Sequence, residues 1–450
     1  MKKIPEEGIY DARELGVPAM LFLGLQQMVA CFGATILVPL LTGLPTQTTL
    51  LMTGVCTLLF HFVFTRRKVP VYLGPSFAFL GGYALVKVCP AYAGLPLNEQ
   101  LAYANGGIIV GAFVCYPLLA LVIKMIGAKR ALKYLPPIVT GPIIMCIGLT
   151  LMPSAVSNAS QNWTLALLAI VVVVVFSVYG KGFLKIIPIL MGVLIPCAVV
   201  VVANVIGVWE IDYTNVANTS WVGLPPIILP KFDLEAIMIM APICLATMME
   251  HIGDICAISA TTGQDFVRDP GLSCTLIGDG LMTALSAGSG ASANTTYTEC
   301  TSTQAFSKVY DPAVVRIAAV YVVILGFMPK SAAIIGAIPT AIVGGVSFVL
   351  YGMITAVGVK SIVENHVDLI KQRNLLIVSL ILACGLGITD GITIPIGEAT
   401  ITLTGLAISA IVGIILNLIL PEGDHEYDKG DVVDANNGLA VPTPLSGEDE

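Results

Sequence analysis

The stretch ASANTTYTECTSTQAF, residues 291–306, lies between two long apolar runs, is short and polar for a membrane span, and carries Glu299. A second interrupted stretch, VYLGPSFAFLGGYALVK at 71–87, starts extended and is broken by Gly74-Pro75. The two interruptions, Gly74 and Asn294, are 220 residues apart, and the apolar runs that begin at 17 and 235 are 218 apart. The chain reads as two copies of one plan, each broken at the corresponding place. Paired broken segments mark a binding site, because unwound backbone survives at membrane depth only where it lines a cavity.

Composition defines the surroundings of these breaks. With 56% hydrophobic residues, 11% charged residues and a mean hydropathy of +0.90, the chain is not a water-soluble globular domain, whose charged fraction is near ~25%. Runs such as TLALLAIVVVVVFSV (164–178) and IPILMGVLIPCAVVVVANVIGV (187–208) have the length and apolarity of spanning helices. Fourteen such segments are expected, near 17–41, 48–64, 72–90, 103–126, 133–152, 162–179, 184–208, 235–258, 271–289, 292–307, 312–329, 333–356, 374–389 and 399–420.

The positive-inside rule tests the count. With both termini cytoplasmic, 19 of the 22 Lys and Arg residues fall on the cytoplasmic side and only Lys87, Lys231 and Lys330 do not. The expected fold is therefore an all-α polytopic protein of the inner (plasma) membrane, with fourteen spans in two seven-span repeats. Seven is odd, so the repeats are inverted. Residues 1–16 form a charged leader without a cleavage pattern, so no removable signal peptide is expected.

Eleven cysteines are scattered through apolar segments with no CxxC pair and no metal-ligand spacing. The net charge of −7 comes from the tail 421–450, whose nine acids and one lysine contribute −8 and which reads as disordered. No cofactor, metal or nucleic-acid partner is expected.

Ionisable residues in apolar spans cost roughly 2.5–3.5 kcal/mol each on insertion scales and are usually functional. Glu250, Asp254 and Glu299 stand out. In MMEHIGD, Glu250 and Asp254 are spaced i, i+4, so both share one helix face. Two neighbouring carboxylates resist simultaneous ionisation, which suits a proton carrier. His251 points elsewhere on the helix and serves either a structural bond or proton transfer. Gln26 and Gln27 either reach the cavity or bond between helices. Phe77 stacks on a planar ligand or packs in the core, and Tyr351 buttresses a carboxylate or sits at an interface.

At these residues the chain resembles the nucleobase–ascorbate transporter family, also called nucleobase:cation symporter-2, with bacterial uracil permeases the nearest pattern. The resemblance covers about 17–420, through QQMVACFGATILVPLL, KVPVYLGPSFAF, GKGFLKIIPILMGVLIP, EHIGDI, VRDPGL, NTTYTE and VGGVSFVLYG. It implies spans 3 and 10 that are part strand and part helix, a core domain at 17–126 and 235–329, a gate domain at 133–208 and 333–420, and a homodimer in the bilayer. It also implies that Glu250 and Glu299 bind the base, that Phe77 lies beside it, and that Tyr297, Thr298 and Tyr351 are near it.

The implied function is proton-coupled nucleobase uptake, most simply of uracil, by an elevator movement and without enzymatic activity. The alternatives are a xanthine or urate permease and an anion transporter of related fold. This chain departs from the family pattern at several places: Gln26-Gln27 stands for Gln-His, Asp254 for the histidine of uracil permeases, Thr298 for their glycine, and Cys300, Ser302 and Ser307 for the Asn, Gly and Thr of the span-ten pattern.

Overall fold

The computed structural model describes residues 8–127, 136–185, 187–206, 214–389, 391–396 and 399–421. The tail from 422 onward, residues 1–7 of the leader and the start of the fifth expected span lie outside the described residues.

In chain order the first half contains α1 (Val17–Thr42), α2 (Thr46–Leu59), β1 (Leu73–Pro75), α3 (Leu80–Val88), α4 (Leu97–Ile126), α5 (Pro137–Ala159), α6 (Trp163–Tyr179) and α7 (Pro188–Val205). After a short α8 (Thr214–Asn218) come α9 (Leu234–Met240), α10 (Ile243–Thr262), α11 (Leu272–Gly288), β2 (Asn294–Thr296) and α12 (Thr298–Ser307). The chain continues with α13 (Pro312–Gly326), α14 (Pro329–Gly336), α15 (Thr340–Glu364), α16 (Gln372–Gly387), a hairpin of β3 (Ile392–Ile396) and β4 (Ala399–Leu403), and α17 (Gly405–Ile419).

Among the described residues, seven helical stretches are long and apolar enough to cross a membrane: 17–42, 46–64, 97–125, 137–159, 188–205, 234–262 and 340–364. α6, α16 and α17 are apolar but shorter, and α13 and α14 form a pair bent by 85°. With this surface the protein is an integral membrane protein.

Two boundaries differ from the sequence expectation. The twelfth segment, expected from 333, begins at Thr340, because α14 is a separate short helix and Pro339 starts a new one. The last segment, expected from 399, begins as β4 and becomes helical only after Thr404, whose side chain accepts from Ala407 N. The β3–β4 hairpin was also not expected. ITIPI and ATITL alternate β-branched residues in the manner of strands.

The helices pack in two groups. α4 packs on α11, α13 on α2 and α1, and α10 on α12 and α4; separately, α15 packs on α5 and α6, α16 on α17 and α5, and α6 on α7. Small residues set the closest approaches. On α5 and α15, Gly141 and Gly358 face one another, and a Cβ on Gly358 would lie 2.5 Å from the Gly141 carbonyl. The groups meet where α10 and α3 touch α5, where α10 touches α17, and where α1 touches α7.

The two broken segments meet as well. β1 and β2 pair antiparallel with Leu73 opposite Thr296, Gly74 opposite Thr295 and Pro75 opposite Asn294. Tyr297 N donates to Tyr72 O at 3.0 Å and Ser76 N to Ala293 O at 2.8 Å, extending the ladder by a residue at each end. Each break thus uses the other to satisfy its backbone, which lipid cannot do.

Buried polar side chains satisfy further backbone groups nearby. Thr57 Oγ1 bonds Leu73 O and N, His61 Nε2 meets Val71 O at 2.6 Å, and Gln304 Nε2 donates to Pro70 O at 2.5 Å. Asn105 donates to Ala287 O and Ala291 O, both at 3.1 Å, and accepts from Tyr83 at 2.6 Å.

Candidate functional site

Two half-helices, α3 and α12, start where the paired strands end, so the positive ends of their dipoles lie beside the strand pair. Glu299 occupies the first turn of α12, where a carboxylate is favoured, and is half-buried. Glu250 is half-buried on α10, and a Cβ built on Gly253, on the next turn of that helix, would meet nothing within 4 Å. The Glu250 side of α10 therefore borders open space. Among the described residues, the charges of Asp254, Glu299 and Asp279 act on Glu250, and no Lys or Arg does. Among the described residues, the site is a set of acids without a counter-cation.

Asp254 joins α10 to the broken segment. It is 5% exposed, and its two oxygens accept from Thr296 Oγ1 at 2.7 Å and Thr298 Oγ1 at 2.6 Å. A hydroxyl can donate to a carboxylate or accept from a carboxylic acid, so these partners hold Asp254 in either protonation state. Two of the departures from the family pattern, Asp254 and Thr298, are thus hydrogen-bonded to each other.

Tyr297 is buried against the first break. Its hydroxyl donates to Pro75 O at 2.9 Å, and a Cβ on Gly74 would lie 2.4 Å from its ring. Phe77 is 8% exposed, in the turn between β1 and α3. Gln27 bonds between helices, its Nε2 donating to Cys300 O at 3.3 Å, while Gln26 is half-buried. Tyr351 lies in the other packing group, at the α5–α15 contact beside Ser154 and Ser347. A cavity of about 460 Å³ lined by Tyr10, Lys68, Asp265 and Tyr310 includes none of these residues.

The sequence reading missed Asp279. It is fully buried on α11, 3.7 Å from His251 Nδ1, and among the described residues no well-formed hydrogen bond closes on either of its oxygens. The Tyr116 hydroxyl, bonded to Thr247 Oγ1 at 2.7 Å, is beside it. His251 Nδ1 is also 3.5 Å from Thr296 Oγ1, so His251 stands between Asp279 and the threonine that holds Asp254. The signal was available: LIGDGLM places an acid inside an apolar run.

Comparison with known proteins agrees with this architecture. The sequence pattern described as "Permease family", that of xanthine/uracil permeases, matches residues 18–394. A probable uracil permease of Haemophilus influenzae is 36% identical over 416 residues, covering 90% of this chain and 95% of the relative. The uracil permease of Bacillus caldolyticus is 37% identical over 417 residues, covering 89% and 91%.

Two solved structures share the fold at low identity. The transmembrane domain of the cyanobacterial bicarbonate transporter BicA is similar with a TM-score of 0.59 at 14% identity, covering 91% of this chain and 99% of that one. The murine anion transporter Slc26a9 gives a TM-score of 0.66 at 12% identity, covering 89% and 68%. With a family pattern spanning most of its length and relatives above one-third identity, the chain belongs to the xanthine/uracil permease family of membrane transport proteins.

Proposed function

We propose that the protein imports a nucleobase, uracil, together with protons. The observation that carries this reading is the set of acids around Glu250 and Glu299, on which, among the described residues, no Lys or Arg acts. A neutral imide offers N–H donors, and carboxylates are acceptors. An anion would be repelled, so the reading departs from the bicarbonate and anion transporters that share the fold. The relatives named uracil permease support a nucleobase as substrate.

Asp254 is the proton carrier in this scheme, because its hydroxyl partners accommodate both of its protonation states. One charge crossing 100 mV supplies about 2.3 kcal/mol, enough to drive accumulation. The movement is elevator-type. The group holding α1–α4 and α9–α13 carries Phe77, Glu250 and Glu299 past the group holding α5–α7 and α15–α17. The antiparallel pairing of β1 with β2 supports two inverted repeats; fourteen spans with both termini cytoplasmic, and a homodimer as the assembly, complete the proposed arrangement.

A xanthine or urate substrate is the second reading. It is favoured by Asp254, which stands where purine-transporting members often have aspartate.

The deciding experiment is uptake of labelled uracil by a permease-deficient strain expressing the chain, with and without a proton gradient. Saturable uptake that needs the gradient and is competed by uracil is expected. Gradient-dependent uptake of labelled xanthine or urate in place of uracil selects the second reading, and uptake of labelled sulfate in place of any base overturns both.

A further inference from the structure

Three arginines from separate stretches converge at the end of the bundle where Lys and Arg collect. Arg67, in the exposed turn after α2, has its guanidinium carbon 4.9 Å from the centroid of the Phe62 ring, and that of Arg316 on α13 is 5.8 Å from the same centroid. The charges of Arg67 and Arg13 both act on Arg316, and the one opposing charge is Asp311. Asp311 is already engaged, accepting from Ala12 N at 2.8 Å and Ala313 N at 2.7 Å, and Arg13 pairs with Asp11 at 3.0 Å.

Among the described residues, the ion pairs include neither Arg67 nor Arg316. Nη1 of Arg316 is buried with no hydrogen-bond partner. The Phe62 ring offsets part of the like-charge repulsion, but it offers no acceptor for the guanidinium N–H groups.

The surface beside this cluster is apolar. Arg316, Val320 and Ile324 lie at i, i+4 and i+8 on one face of α13, and Val320 and Ile324 are 45% and 52% exposed. Phe62 and Val63 are exposed as well. A stripe that faces acyl chains therefore ends in guanidinium groups, the arrangement of a long cationic side chain reaching for the headgroup layer.

We propose that this is a binding site for an anionic phospholipid, with an acyl chain along Ile324 and Val320 and the phosphate between Arg316 and Arg67. Guanidinium groups bind phosphate oxygens in paired hydrogen bonds, which would satisfy the buried Nη1 and separate the like charges. Basic pockets between helices at a membrane face take anionic headgroups in this way. The acidic tail of the chain carries matching charge, but it would leave the apolar stripe without a partner. The site shares no residue with the acids of α10 and α12 and does not depend on which substrate is transported.

The test is thermal unfolding of the purified full-length protein in detergent, titrated with dioleoylphosphatidylglycerol, dioleoylphosphatidylcholine or inorganic phosphate. The midpoint rises with phosphatidylglycerol only, and Arg316→Gln and Arg67→Gln each raise the lipid concentration needed about fivefold. Lys181→Gln, at an exposed lysine outside the cluster, leaves the response unchanged. Should Arg316→Gln not fold, Arg67→Gln in its exposed turn carries the test.

An equal response to both lipids, a full effect of phosphate alone, or an unaltered response in Arg67→Gln overturns the proposal. So does a lipid effect seen only after residues 422–450 are removed, which would make the tail the occupant.

Discussion

The two broken segments use one backbone device for different ends. Each has a three-residue strand followed by a half-helix, and the strands pair with each other. The first, from β1 into α3, is nearly all apolar and buries Phe77, Leu80, Tyr83 and Val86. The second, from β2 into α12, carries Thr296, Thr298 and Glu299, two of which hold Asp254. The geometry that opens a helix in the membrane is thus separable from the chemistry placed there. One segment supplies a wall and the other supplies acceptors and hydroxyls.

The largest expected effect tests that division directly. Glu299→Ala, and likewise Glu250→Ala, leaves ligand donors unpaired at about 1–3 kcal/mol each, so uracil binding to purified protein should weaken roughly 5- to 150-fold. Phe77→Leu keeps an apolar wall and loses only aromatic stacking, about 0.5–1.5 kcal/mol. If titration calorimetry finds Phe77→Leu the more damaging of the two, the wall and the chemistry have been assigned to the wrong segments.

Asp254→Asn comes next. It should leave uracil binding within a few-fold of the parent and reduce gradient-driven accumulation in cells to simple equilibration. Accumulation equal to that of the parent would move the proton elsewhere, and the buried pair Asp279 and His251 would be examined next.

Gly74→Ala tests the joint between the segments. Its Cβ would press on the Tyr297 ring, and overpacking of this kind costs about 1–3 kcal/mol. A Cβ on Gly81 meets nothing within 4 Å, so Gly81→Ala, in α3, should be neutral or slightly stabilising. Equal unfolding midpoints for the two variants would mean that the strand pair tolerates separation.

The smallest effect is one of preference. Glu299→Gln exchanges an acceptor for a group with both donor and acceptor. The ratio of uracil to xanthine affinity should fall about fivefold, the worth of roughly 1 kcal/mol for one net hydrogen bond. An unchanged ratio in competition binding would put the preference in the packing around Phe77 and Thr298.

Much of the site was legible because one rule, that acids are costly in apolar spans, picks out Glu250, Asp254 and Glu299. Applied evenly, the same rule also finds Asp279. Partners were not legible. Gln27 and Gln304 are polar residues in or near spans like many others, and only the fold reveals that they bond the backbone of the broken segments. Tyr351 carries a sequence likeness to site tyrosines, yet its position at the α5–α15 contact follows from packing between helices some 200 residues apart in the chain.

The sequence by itself determined the solvent of this protein, the places where helices break, and the acids that would have to be sheltered, because hydropathy and the cost of buried charge are local properties of the chain. Only the tertiary structure decided that residues 73–75 pair with 294–296, that Thr296 and Thr298 close on Asp254, and that Asp279 is left facing His251. Those are contacts between distant stretches. Many polar side chains in a membrane core can satisfy a given backbone group or carboxylate, and which one does so is settled by the packing of the helices that carry them.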